Sequence, residues 1–311
     1  MPRPARPCAI LSVVQAGTQR WFEVDGALVH TVRWGNGASD RQVLLVHGLG
    51  ASTLSWQPTG SRLATALDAT VTAVDLPGFG LTRLPPGQRA GLPENGRVVR
   101  DLLTRYLGPA TVVGNSMGGA LGVGLAARHP ELVEALVLVD PALPQRGTPP
   151  WRLMARFAPL MMPALGRRFI GYRARALGPV GLVDSTLEWS VARPERLDPA
   201  LRTQMVELAT ARLAFPEAGT AFADAARSLF LYLQGRMPVD LDRVGCPTLI
   251  VHGELDRLVP VAAARAAAAR RSDFALQVID DCGHAPQIEL PEQFLEVVTP
   301  WLTTRPESAR A

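Results

Sequence analysis

Six short runs of apolar, largely β-branched residues recur along the chain: 42–48 (QVLLVHG), 69–78 (ATVTAVDLPG), 110–114 (ATVVG), 134–140 (EALVLVD), 247–253 (PTLIVHG) and 274–280 (FALQVID). Runs that lack polar alternation read as strands covered on both faces, the habit of a parallel sheet. Helical stretches lie between them. Residues 94–107 set Val98, Val99, Leu102, Leu103 and Tyr106 on one face; 117–129 are small and apolar; 260–271 are alanine-rich; 291–302 are amphipathic and open on Pro291. Strand alternating with helix predicts an α/β fold built on a mostly parallel, doubly wound sheet with right-handed crossovers. Ahead of it, RWFEVDGALVHTVRWG predicts a hairpin turning at Asp25-Gly26.

The alternation stops between about Pro141 and Asp240. That stretch offers no good strand, only helical pieces at 151–158, 185–192, 199–213 and 219–233. The expected organisation is a discontinuous core, 1–140 and 241–311, with a helical cap inserted at 141–240 as a lid. The lid would cover the carboxyl edge of the sheet, where open α/β sheets bind ligands.

Composition excludes several functions. A net charge of +4 with dispersed cations is not the basic face of a nucleic-acid binder. All 32 basic residues are arginine, so Schiff-base lysine chemistry and a lysine-bearing phosphate loop are ruled out. Cys8, Cys246 and Cys282 are too few and too scattered for a disulfide framework or a zinc site, which favours a reducing, cytoplasmic setting. No apolar run reaches the roughly 20 residues of a membrane helix. The short apolar run in MPRPARPCAILSVVQAG, with no small-x-small site after it, predicts no signal peptide. Oligomeric state is not legible.

The chemistry concentrates at the ends of the expected strands. Gly114-Asn115-Ser116-Met117-Gly118 fits the nucleophile-elbow pattern G-x-S-x-G. A sharp strand-to-helix turn strains the serine backbone, and side chains two residues to either side would collide. The Met117 N–H then lies at a helix N-terminus, which favours an anion. A serine hydroxyl needs a base. His30, His47, His129 and His252 all have structural explanations in the hairpin, at strand ends or at a helix end. His284 stands in the polar loop DDCGHAP after the last strand. A carboxylate must fix the base's tautomer, and Asp256 in HGELDRLVP is the favoured candidate, with Asp140 its competitor. Asp75, in DLPGFG, reads as a turn acid holding loop amides. HGLGAST could mimic a dinucleotide fingerprint, but Thr53 stands where its third glycine belongs.

The chain order Ser116, Asp256, His284, with HGLG (47–50), DLPGFG (75–80), GNSMGG (114–119), HGELDRLVP (252–260) and GHAPQIE (283–289), resembles the α/β-hydrolase fold family in its lid-bearing serine hydrolase branch. The likeness spans roughly residues 21–302 and is weakest over the lid. It implies acyl transfer with Ser116 as nucleophile, His284 as base, Asp256 as its partner, and the backbone N–H groups of Leu49 and Met117 as oxyanion donors. No metal and no cofactor is implied. Serine at the elbow argues against the epoxide- and halide-displacing members, which carry aspartate there. The expected substrate is a hydrophobic small-molecule ester. Alternatives are carbon–carbon hydrolysis of a ring-cleavage diketone, cofactor-free perhydrolase or haloperoxidase chemistry, lactone or amide hydrolysis, or a ligand-binding receptor on the same fold. The carbon–carbon hydrolases usually show HGSGPG and a tryptophan after the histidine, where this chain has HGLGAS and Ala285. In the lid, Trp151, Met161, Met162, Trp189 and Phe215 are expected to form an apolar pocket ceiling. The lid arginines read as a solvated face.

Overall fold

The computed structural model describes residues 17–35, 37, 39–144 and 158–304. Cys8, Trp151 and most of the expected helix 151–158 lie outside the described residues. Eight strands form one sheet: β1 (Thr18–Val24), β2 (Ala27–Trp34), β3 (Gln42–Val46), β4 (Thr70–Val74), β5 (Ala110–Asn115), β6 (Val133–Val139), β7 (Thr248–Gly253) and β8 (Phe274–Ile279). Their spatial order is β1-β2-β4-β3-β5-β6-β7-β8. β2 runs antiparallel to β1 and β4, and every other pairing is parallel. The described helices are α1 (Gln57–Leu67), α2 (Leu92–Leu102), α3 (Met117–Arg128), α4 (Pro163–Ser190), α5 (Pro199–Arg212), α6 (Ala218–Gly235), α7 (Met237–Arg243), α8 (Val261–Arg270), α9 (Pro286–Glu289) and α10 (Pro291–Thr303).

The six apolar runs are thus β3 to β8. Their period of two explains the layers. Leu44, Val46, Val112, Leu136, Leu138 and Ile250 point to one face, covered by α2, α3 and α8 through Val98, Leu102, Ala120, Val123 and Ala264. Val43, Leu45, Val113, Val137 and Val251 point to the other, covered by α1 and α10 through Leu63, Leu67, Phe294 and Val298. Each fully buried aliphatic side chain contributes about 1.5–3 kcal/mol. The hairpin turns as expected, with Asp25 and Gly26 both at positive φ (49° and 74°) between paired Val24 and Ala27. Tyr106 departs from expectation. After α2 the chain makes a π turn, Leu103–Leu107, whose wider winding rotates the ring outward. Tyr106 is 40% exposed, lies on Phe22 and donates to the Glu23 carbonyl.

Between β6 and β7 the described residues contain no strand. α4 is two helices meeting at Gly178 (φ 60°, ψ −179°), with Pro179 opening the second. Only its end, 185–192, was expected, because Gly166, Gly171, Gly178, Pro179 and Gly181 lower the helical signal upstream. α6 and α7 send Ala225, Leu229, Met237 and Leu241 into the cluster under the sheet. α5 is fastened to the sheet edge by Arg212, whose guanidinium donates to the carbonyls of Gly80 (2.7 Å) and Gly78 (2.6 Å). No described helix is long and apolar enough to cross a membrane.

Replacing Arg212 by alanine leaves both carbonyls without their charged donor. The expected loss is about 2–3 kcal/mol of unfolding free energy, measured by urea titration against the parent chain.

Candidate active site

Parallel strands end on a common edge, and the polar residues singled out by sequence lie there. Gly48 follows β3, Ser116 follows β5, Asp140 follows β6, Asp256 follows β7 and His284 follows β8. Ser116 joins β5 to α3 with φ 53° and ψ −112°, a sparsely populated conformation that costs about 1–3 kcal/mol. Three bonds hold it there. Its N–H donates to the Val139 carbonyl (2.9 Å), and its carbonyl accepts from Ala120 (3.1 Å) and Ala142 (3.0 Å). The glycines are required by contact. A Cβ on Gly114 would sit 2.4 Å from the Gly118 carbonyl, and one on Gly118 would sit 2.2 Å from the Val46 oxygen.

His284 and Asp256 are both buried and are bonded through Nδ1 and Oδ2 at 2.6 Å. Asp256 Oδ1 accepts from the Leu258 (2.7 Å) and Val259 (3.0 Å) amides. Burial alone would raise the Asp256 pKa. The facing charge of His284 and hydrogen bonding from His252 and His284 outweigh it and hold the carboxyl well below the usual carboxylate range. An ionised Asp256 keeps the proton of a neutral His284 on Nδ1 and leaves Nε2 free to accept. Asn115, next to Ser116, donates through Nδ2 to the carbonyls of Val139 and His284, both at 3.1 Å, and so ties the elbow to the histidine loop. The Ser116 hydroxyl is half-buried and takes no hydrogen bond among the described residues.

The Gly48-Leu49 loop lies against the elbow, since a Cβ on Gly48 would be 3.1 Å from the Ser116 Cβ. His47 sets its orientation. Nε2 accepts from the Leu76 amide (3.1 Å), so Nδ1–H donates to the Gly48 carbonyl (2.7 Å). Burial lowers the His47 pKa and keeps the ring neutral. In a trans peptide the Leu49 N–H points opposite to that anchored carbonyl. Asp75 holds loop amides as expected, accepting from Thr53 (2.7 Å) and Leu81 (2.8 Å), and it also bonds His30 (2.7 Å).

Sequence reasoning missed Glu289. Its buried carboxylate accepts from Gly283 (2.8 Å), Ala192 (2.9 Å) and Arg193 (2.8 Å), stapling the histidine loop to the end of α4. Arg193 and Arg196 extend the staple to Asp281. The only signal was an acid in the short stretch APQIEL that follows His284. Asp140, Asp256 and His284 offer metal-type donor atoms within 4.8 Å of one another. Yet Asp256 and His284 Nδ1 are committed to each other and Asp256 Oδ1 to two amides, which leaves Asp140 Oδ2 and His284 Nε2 as the free donor atoms of this group among the described residues, too few to enclose an ion.

The expected ceiling residues part company. Met161 packs on the buried cluster of Leu160, Ala223 and Ala226, as do Leu49, Phe169, Ile170 and Phe222. Met162 is 60% exposed and faces away. Phe215 is wedged between the guanidiniums of Arg83 (4.3 Å) and Arg212 (5.8 Å) rather than in that cluster. Trp189 is half-buried at the end of α4, and Trp151 lies outside the described residues. A second apolar cluster flanks the histidine side, with Ala285, Ile288, Leu54, Leu187 and Val191.

Glu289→Gln turns one acceptor oxygen into a donor facing backbone N–H groups. The expected cost is about 2–3 kcal/mol, read as a lower urea midpoint with an unchanged m-value.

The model of the alpha/beta hydrolase family matches residues 43–297. Among curated proteins the chain is 29% identical over 307 residues to a 2-hydroxy-6-oxo-6-(2'-aminophenyl)hexa-2,4-dienoic acid hydrolase of Metapseudomonas resinovorans, covering 95% of this chain and 94% of that one. It is 29% identical over 266 residues to a pimeloyl-[acyl-carrier protein] methyl ester esterase of Aromatoleum aromaticum, covering 80% and 93%. Among solved structures, a putative lipase of Acinetobacter baumannii AYE superposes with a TM-score of 0.77 at 18% identity, covering 97% of this chain and 98% of that one, which bears on the fold alone. Sheet order, strand-end residues and family model agree, and the chain belongs to the alpha/beta hydrolase family.

Proposed function

We propose that this chain is a serine hydrolase cleaving a carboxylic ester of a hydrophobic small molecule through an acyl-enzyme. The observation that carries the reading is the buried His284–Asp256 bond beside a serine held at positive φ. Ser116 Oγ attacks the carbonyl carbon as His284 Nε2 takes its proton. The oxyanion meets the N–H groups of Leu49 and Met117, one such donor being worth roughly 3–4 kcal/mol in the transition state. Imidazolium, steadied by Asp256, protonates the departing alkoxide, and water then repeats the cycle on the acyl group. Helices α4 and α5 with the start of α6 form the lid. Leu49, Met161, Phe169 and Phe222 supply an apolar wall beside the oxyanion site. The setting is taken as cytoplasmic.

Carbon–carbon hydrolysis of a diketone is the second reading. It is favoured by the near full-length similarity to the aminophenyl-hexadienoic acid hydrolase.

A fluorophosphonate probe is expected to label Ser116. Ser116→Ala should abolish labelling and lower kcat by about 10⁶. Intact protein that stays unlabelled, with a Ser116→Ala variant that behaves like its parent, would favour a ligand-binding role instead. A series of p-nitrophenyl esters run beside a vinylogous diketone separates the two enzyme readings. A kcat/KM several orders of magnitude higher for the diketone would replace the first by the second.

A further inference from the structure

Two acids, not one, stand beside His284. Asp140 follows β6 in a left-handed conformation (φ 42°). Its N–H donates to the Val251 carbonyl (2.8 Å), and its Oδ1 accepts from the Gly253 amide (2.8 Å). Its side chain is fully buried, and Oδ2 has no partner. Donor atoms of Asp140, Asp256 and His284 fall within 4.8 Å of one another. His252 Nε2 donates to the Val259 carbonyl (2.8 Å) and lies 3.4 Å from Asp256 and 3.7 Å from Asp140.

Two buried carboxylates this close do not both ionise; one keeps a proton. The partners decide which. Asp256 receives two amides and the His284 ring N–H, three donors that suit an anion. Asp140 receives one amide and has one oxygen left over, which suits an undissociated acid. We propose that Asp140 is held as the neutral acid at neutral pH, a positioning residue that donates its proton toward Asp256 and acts as reserve carboxylate for His284. The proposal rests on the hydrolase reading above. Burial and then the Asp256 charge push the Asp140 carboxyl well above the usual range, in agreement with this assignment. The other titratable groups bearing on it are His252, His284, Glu289 and Cys282.

Two substitutions separate the roles. Asp140→Asn keeps a neutral donor toward Asp256, so kcat/KM should stay within about threefold of the parent. Asp256→Ala removes the charge that keeps Asp140 undissociated, so Asp140 ionises and restores a negative charge within 4.8 Å of the His284 ring. The expected loss is about 10², against the roughly 10⁴ typical when a triad carboxylate is removed. Asp140→Asn/Asp256→Ala should show that full loss of about 10⁴. The effect of Asp140→Asn is therefore small in the parent and large in the Asp256→Ala background. A single Asp256→Ala that falls as far as the double variant, or an equal effect of Asp140→Asn in both backgrounds, overturns the proposal. Infrared spectra of the parent give a readout independent of turnover. A protonated-carboxylic-acid carbonyl band should be present at neutral pH and missing from Asp140→Asn, and its absence from the parent overturns the assignment. If Ser116→Ala keeps full activity, the hydrolase reading fails, and the infrared result still decides the protonation of Asp140.

Discussion

The parallel ladder from β4 to β8 is the constraint on which the rest depends. Because those strands run one way, the loops after β3, β5, β6, β7 and β8 all open on one edge, and residues far apart in the chain meet there. The ladder is sealed by backbone touching backbone. The chain at Gly118 passes so close to the Val46 carbonyl, and Gly253 so close to the Gly283 carbonyl (a Cβ on Gly253 would be 2.0 Å from it), that neither position admits a side chain. The elbow is thereby locked to β3 and the histidine loop to β7. The strain at Ser116 persists because the surrounding hydrogen bonds leave it no alternative.

Much of this was legible in the sequence, for identifiable reasons. Buried strands announce themselves through unbroken β-branched runs, and the elbow through glycines whose positions are sterically forced. Asp140 and Asp256 could be ranked but not related to each other, because each ends or follows a parallel strand and only tertiary packing brings them together. The role of Glu289 could not be read for a similar reason, as its partners Ala192 and Arg193 lie 97 and 96 residues away. The lid shows the limit most clearly. Adjacent Met161 and Met162 have opposite fates, one packed on Leu160, Ala223 and Ala226 and one in solvent. No property of either side chain distinguishes them; the start of α4 does. Phe215 was read as a pocket residue from its apolarity, yet two arginines hold it through its ring face.

A chain without lysine builds its polar contacts with guanidinium groups. Arg212 grips two carbonyls at once, Arg271 reaches the carbonyls of Leu241 and Val244 as well as Asp273, and Arg202 forks onto Asp184. Exposed pairs of this sort add little stability individually. The forks onto backbone differ, because a planar donor aimed at two acceptors fixes a loop's orientation as well as its position. Arg212 does this for the loop carrying Gly78 and Gly80, which packs under α6 where a Cβ on Gly78 would be 2.4 Å from the Ala221 methyl.

The carboxylate of Glu289 grips the Gly283 amide with the same oxygen that holds Ala192, while its other oxygen holds Arg193. Segment 191–193 and the imidazole-bearing loop are therefore joined like two leaves on one hinge pin. Whatever displaces the first drags on the second, so neither segment can shift without the other.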